Sequence, residues 1–315
     1  MPDSASPSSS SAEDGPRARV RFWGTRGTCA SPGPRTVRYG GNTPCVEVRA
    51  NGGPTLVLDA GTGIRALGQH LQSRLKATPV PDMPASNPGP QDQAIHLFLT
   101  HRHADHVMGL PHFAPLHSRS RSVHVRCGDG DCPTLTQFVS SLVSPPLFPY
   151  VDGLAGQLLV HEWPTGEVSV GTFRVHRFNA NHPGGAAIIR VDDATGPIMA
   201  YAPDNELALH ATQAEHVEWL AGLRDFLNGV PLLVHDAMYR PDELTRHAGW
   251  GHSSDMEAVQ LAMDCGVQTL ALFHHHPDRD DDAIERIVDE ARHHLLERKS
   301  PLRTLAAWEG LTLSV

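Results

Sequence analysis

His101-Arg102-His103-Ala104-Asp105-His106 decides how this chain is read. The hexapeptide follows the largely apolar run Ile95–Leu99 after a single residue, Thr100, and Gly109 and Pro111 come soon after. Four imidazole or carboxylate side chains therefore sit within six residues at the end of a buried strand. Such donors suit zinc and similar divalent ions. A lone His-x-His is weak evidence, because two surface histidines at that spacing are common. His-x-His-x-Asp-His at a strand end is far more specific, and it reads as a metal turn rather than a solvated polar turn. In an extended turn His101 and His103 point the same way and hold one ion. Asp105 and His106 lie one step further along and hold a second.

The same strand-then-ligand layout recurs downstream. Phe173–Phe178 reads as a strand and leads to Asn179-Ala180-Asn181-His182-Pro183-Gly184-Gly185. Ile198–Tyr201 leads to Ala202-Pro203-Asp204, Leu232–Val234 to His235-Asp236, and Val267–Phe273 to His274-His275-His276. Alone, His182 or Asp204 would more often be a satisfied turn residue, and the recurrence is what gives each its weight.

Upstream, Ala18–Trp23 reads as a strand, and Cys45–Arg49 with Thr55–Asp59 as a hairpin around Asn51-Gly52-Gly53. Asp59-Ala60-Gly61-Thr62-Gly63 is either a plain turn into the helix Ile64–Lys76 or a turn leaving room near a site. Arg26 meets either an anionic ligand or a structural partner. Further helices are expected over Glu206–Leu227, Asp255–Cys265 (with Ser253 or Ser254 as N-cap) and Asp280–Lys299. Thr304–Trp308 and Leu311–Ser314 are expected to close the chain as a hairpin. The pattern forms two halves, each of strands followed by helices. It predicts an α/β chain with two sheets packed face to face, helices outside and the ligands along one edge of the sandwich.

Composition narrows the functional classes. Twenty-six Lys and Arg against 35 Asp and Glu give a net charge of −9, so a broad basic face for nucleic acid is not indicated. The 21 His are many for 315 residues, and they cluster. Five Cys, with no Cys-x-x-Cys pair, read as reduced thiols in a cytoplasm-like compartment. Cys127 and Cys132 flank Gly-Asp-Gly-Asp, where a plain loop is more common than a disulfide or metal knuckle. No apolar run approaches the roughly 20 residues needed to span a bilayer, and the Ser/Pro-rich, acidic residues 1–17 read as a disordered tail rather than an export signal. Residues 18–315 are expected to form one domain, with the proline-rich stretch 77–93 as a flexible insert. A homodimer is an assembly the sequence leaves open.

Collected, the strand-end ligands are His101, His103, Asp105, His106, His182, Asp204 and His274. They are too many for one tetrahedral zinc. They suit two divalent ions about 3.5–4 Å apart, zinc first, with manganese or iron as alternatives. His101, His103 and His182 are assigned to the first ion, Asp105, His106 and His274 to the second, and Asp204 bridges them. Two dications lower the pKa of water between them and neutralise phosphate oxygens, which favours metal-assisted hydrolysis. A leaving alkoxide needs a proton. His252, in the glycine-rich turn before Asp255, is the candidate general acid, and Asp236 is placed to orient it.

These motifs, in this order, resemble those of the metallo-β-lactamase-fold hydrolases. With GTRGT, YGGNTPCVEV, LVLDAGTGIRALG, GWGHSS and LALFHHHPDRDD, the chain is most similar to the ribonuclease Z and phosphodiesterase branch. The resemblance covers the chain from about residue 18 to the end. It implies a four-layer αββα sandwich of two mixed sheets, a pair of metal ions, a catalytic role for His252, and a role for Asp105 in activating water. HDAMY (His235–Tyr239) resembles a segment of bacterial members described as metal-dependent hydrolases or cyclic-nucleotide-phosphodiesterase-like. No basic-flanked glycine/proline-rich arm of the kind transfer-RNA-processing members use is present. The reading that follows is a cytoplasmic phosphodiesterase on a small or cyclic nucleotide, with extended nucleic acid and membranes not expected as partners. The alternatives are a ribonuclease Z-like 3′-processing endonuclease, a thioester or lactone hydrolase of the same fold, and a non-catalytic metal-binding domain.

Overall fold

The computed structural model describes residues 15–50, 53–77, 94–118, 121–129, 132–149, 158–164, 166–208 and 212–315. Residues 1–14 of the expected tail and 78–93 of the expected insert lie outside these residues, whereas Arg17, at the end of that tail, pairs with Asp193. In chain order the strands and helices are β1 (Arg19–Gly24), β2 (Cys45–Arg49), β3 (Thr55–Leu58), α1 (Ile64–Ala77), β4 (Ile95–Leu99), α2 (Ala104–Val107), β5 (Val123–Cys127), α3 (Cys132–Leu142) and β6 (Leu158–Val160). The second half runs β7 (Glu167–Val170), β8 (Phe173–Asn179), β9 (Ala187–Asp193), β10 (Gly196–Ala202), α4 (Gln213–Leu227), β11 (Leu232–Asp236), α5 (Asp255–Asp264), β12 (Thr269–Phe273), α6 (Asp281–Glu297), β13 (Arg303–Ala306) and β14 (Thr312–Ser314).

The strands form two seven-stranded sheets, ordered β14-β1-β2-β3-β4-β5-β6 and β13-β12-β11-β10-β9-β8-β7. Both are mixed in the same way. β14 to β3 pair antiparallel and β3 to β6 parallel; β7 to β10 pair antiparallel and β10 to β13 parallel. Alternation along each strand sends successive side chains to opposite faces. Phe22, Val46, Leu58 and Phe98 thus meet Ile189, Tyr201, Val234 and Phe273 between the sheets. Leu97 and Leu99 pack outward on α1 and α3, and Leu233, Leu270 and Leu272 on α4, α5 and α6. Burial of one such Leu or Phe side chain contributes about 1.5–3 kcal/mol. The result is the expected four-layer αββα sandwich.

The parallel strands fix the level of the site. β10, β11 and β12 run in register, Ala202 beside His235 and Asp236 beside Phe273, so their carboxyl ends lie together at one edge. The two sheets are tied there by Ala187 N–H donating to Thr100 O at 3.0 Å.

Two expectations are corrected. β13 and β14 are not a hairpin: β13 lies parallel to β12, and β14 pairs with β1 in the other sheet. α6 carries the chain across from β12, and a strand following such a crossover lies parallel to the first. The helix expected from Glu206 starts only at Gln213, where Thr212 and Glu215 form a reciprocal capping box. Of the two candidate N-caps of α5, Ser254 accepts from Glu257 N–H. Cys127 is a free thiol donating to Asp129, so it forms no disulfide. Arg26 is fully buried and donates to the carbonyls of Gly40, His276 and Arg279. It clamps the loop after β1 to the loop after β12, and its role is structural.

Candidate metal centre

Every candidate ligand stands at or just past the end of a strand. His101 follows β4 by two residues, His103 has extended backbone, and α2 then forms a single helical turn carrying Asp105 and His106 inward. His182 sits in the connection from β8 to β9, and Asp204 lies two residues past β10. His274 directly follows β12 in the left-handed region, at φ 57°. That conformation is costly for a residue with a Cβ.

Asp204 organises the cluster. Its Oδ2 lies 3.6 Å from His101 Nε2 and 3.8 Å from His182 Nε2, and His182 Nε2 lies 3.1 Å from His103 Nδ1. Its Oδ1 lies 3.0 Å from His106 Nε2 and 3.2 Å from His274 Nε2. Asp105 Oδ2 completes the second group, 3.3 Å from His106 Nε2 and 3.2 Å from His274 Nε2. One carboxylate thus presents one oxygen to each of two groups of donors. Two ligands at bonding distance from a tetrahedral zinc are separated by about 3.4 Å, close to these spacings.

The chemistry of the donors fits cations. His101 Nε2, His106 Nε2 and Asp204 Oδ1 are buried and make no hydrogen bond. Buried polar atoms are rarely left so. Burial, aided by the neighbouring His106, pushes His101 well below the usual imidazole range. Burial also pulls His106 down, but Asp204, Asp105 and Asp59 outweigh it and hold this imidazole well above its ordinary value. Burial opposes ionisation of Asp204, yet His106, His274 and His101 keep its carboxyl well below the carboxylate range. A site with this density of buried carboxylate requires positive charge, and divalent ions supply it.

A supporting layer orients the ligands. Asp59, at φ 61° just past β3, accepts from Thr100 N–H and from the Tyr201 hydroxyl, and pairs with His106 Nδ1 at 2.8 Å. Thr28 N–H donates to Asp105 Oδ2 at 2.8 Å. His182 Nδ1 lies 3.1 Å from Gly251 O. Such partners fix ring orientation and basicity. The Asp59–Gly63 turn therefore does serve the site, through its aspartate. Glu206, a residue the sequence did not mark, accepts from Gly249 and Gly251 N–H at 3.0 and 2.8 Å.

Beside the ligands, His252 Nδ1 pairs with Asp236 Oδ2 at 2.7 Å, and its ring stacks 5.0 Å from that of His274. Burial lowers this imidazole, but Asp236, then Asp204 and Asp105, raise it to about 9. All the residues singled out from the sequence for the site are thus gathered in one place. His252 also forms a close group with Asp204 and His274.

Gly251 offers a direct test of the packing. A Cβ there would meet His182 Nδ1 at 2.0 Å, whereas one at Gly249 would meet nothing within 4 Å; both residues have left-handed backbone, at φ 86° and 84°. If His182 serves as a metal ligand, Gly251→Ala weakens binding of that ion by at least about tenfold, in competition against a chelator. Gly249→Ala carries the same backbone strain without the collision and should retain that affinity.

A αββα sandwich with a His/Asp cluster at one edge defines a metallo-β-lactamase-fold, metal-dependent hydrolase. The chain belongs to the beta-lactamase superfamily: the model of the beta-lactamase superfamily domain matches residues 55–275. It is 26% identical over 234 residues to ribonuclease Z of Porphyromonas gingivalis, covering 63% of this chain and 76% of that protein. Its fold superposes on the metallo-beta-lactamase fold protein YhfI of Bacillus subtilis with a TM-score of 0.64, at 16% identity, over 96% of this chain and all of that one. It also superposes on a diphosphatase of the PhnP family with a TM-score of 0.57, at 17% identity, over 95% of this chain and 98% of the other. Among the described residues no helix is long and apolar enough to cross a membrane.

Proposed function

We propose that the chain is a dinuclear metal-dependent phosphodiesterase acting on small or cyclic nucleotides. The observation that carries this reading is the division of Asp204 between two donor groups, with the His252–Asp236 pair alongside. His101, His103 and His182 would hold one ion, Asp105, His106 and His274 the other, and Asp204 both. When bound, divalent ions supply Lewis acidity toward phosphate oxygens and acidify water. The chain's own residues do the rest. His252 is placed to deliver a proton to the leaving oxygen, and Asp236 holds the ring in the orientation this requires. Asp105, fixed by Thr28 N–H, helps orient the attacking water.

The likeness to a ribonuclease Z favours a second reading, RNA 3′-end processing. Against it stand the net charge of −9 and the absence of Lys and Arg from residues 77–93. A docking surface for RNA depends on basic side chains facing phosphates.

The two readings separate on substrate. Metal-loaded protein is offered cyclic mononucleotides and a transfer-RNA precursor with a 3′ trailer. The expected result is a kcat/KM for a cyclic nucleotide at least about a hundredfold above that for the precursor. Precursor cleavage without cyclic-nucleotide turnover would replace the proposal with the ribonuclease. No phosphodiester turnover by protein that carries metal would sink both, and thioesters and lactones would be tried next.

A further inference from the structure

We propose that Trp250 is a stacking platform for the nucleobase of the substrate, a proposal that rests on the phosphodiesterase reading above. Trp250 is 61% exposed, an unusual state for the largest apolar side chain. It is nonetheless firmly held. Gly249 and Gly251 on either side adopt left-handed backbone, at φ 84° and 86°, and their amides donate to the two oxygens of the buried Glu206 carboxylate. Trp250 N–H itself donates to His247 O at 3.1 Å. The indole stands edge-on to the His247 ring at 5.2 Å, His247 stacks flat on Tyr239 at 4.2 Å, and Tyr239 meets His252 edge-on at 6.0 Å.

The same short loop therefore does three things. Gly251 O orients His182, His252 pairs with Asp236, and Trp250 faces solvent two residues before His252. Two residues along the chain separate Cα atoms by at most about 7 Å. The row of rings from Trp250 through His247 and Tyr239 ends at His252, and the proposal places the base of a nucleotide whose phosphate lies at the metal centre along this row. Fixing an exposed indole with buried hydrogen bonds leaves its apolar surface in water, a cost that a ligand removes on binding. A single ring matches a base in size. A protein partner would instead need a patch of about 800 Å². Stacking is tolerant of base identity, because every base has a π-face. The platform therefore selects nucleotides over other phosphodiesters without choosing among bases.

The test compares wild type, Trp250→Ala and Trp250→Phe in two ways. The first is equilibrium binding of AMP and of ribose 5-phosphate, which lacks the base. Trp250→Ala should weaken AMP binding by about tenfold and leave ribose 5-phosphate binding unchanged, and Trp250→Phe should restore most of the loss. The second is kinetics on a cyclic nucleotide, where KM should rise about tenfold in Trp250→Ala with a much smaller change in kcat. Equal losses for AMP and ribose 5-phosphate, or no loss for either, would overturn the platform. So would wild type that binds AMP no better than ribose 5-phosphate. Wild type that hydrolyses no phosphodiester would defeat the phosphodiesterase reading by itself, and the AMP comparison would still decide the platform.

Discussion

Asp204→Asn is expected to leave the protein with at most one tightly held divalent ion and to reduce phosphodiester turnover by at least about a thousandfold. Asn matches the carboxylate in shape but presents one oxygen and an amide that only donates. Whichever way it turns, one of the two donor groups then faces N–H hydrogens instead of an acceptor. The loss of negative charge matters as much, since Asp204 contributes most among the carboxylates that raise His106. Metal analysis after dialysis, with turnover of the same sample, checks both halves. Full metal content with unimpaired turnover would show that Asp204 is not shared between two ions.

His252→Ala is expected to lower kcat on a cyclic nucleotide by about 100- to 10,000-fold while metal content holds. The effect should be much smaller on bis-p-nitrophenyl phosphate, whose leaving group departs without a proton. A fall in bound metal would instead mark His252 as a ligand. The pH profile provides an independent check. A general acid acts only while protonated, so activity is retained below the folded-state pKa and lost as pH rises through it. Without metal that value is about 9, lowered by burial and raised more strongly by Asp236, Asp204 and Asp105. Bound cations repel an imidazolium, so the alkaline limb of the loaded enzyme lies below 9. Asp236→Asn removes the largest raising influence and should move that limb to lower pH.

Much of the centre is legible in the sequence because a metal restricts both residue type and location. Imidazoles and carboxylates at strand ends are conspicuous after apolar runs such as Ile95–Leu99 and Thr269–Phe273. What the sequence left open is set by tertiary neighbours. Locally Asp59 fits a plain turn as well as a site turn, and its tertiary partners His106, Thr100 and Tyr201 decide between them. Glu206 gives no local sign that it gathers the amides of Gly249 and Gly251, more than 40 residues away. The start of α4 was in principle readable from Thr212-Gln213-Ala214-Glu215, a capping-box spacing. The last two strands are the reverse case. Their local turn suggests a hairpin, and the partner each strand takes depends on sheet edges that no local stretch encodes.

The most direct test of the shared-carboxylate centre is the metal stoichiometry of purified protein reconstituted with zinc and freed of loosely bound ions. The proposed centre requires two ions per chain, falling to one or none in Asp204→Asn. One ion per chain in both proteins, or none in wild type, would contradict it.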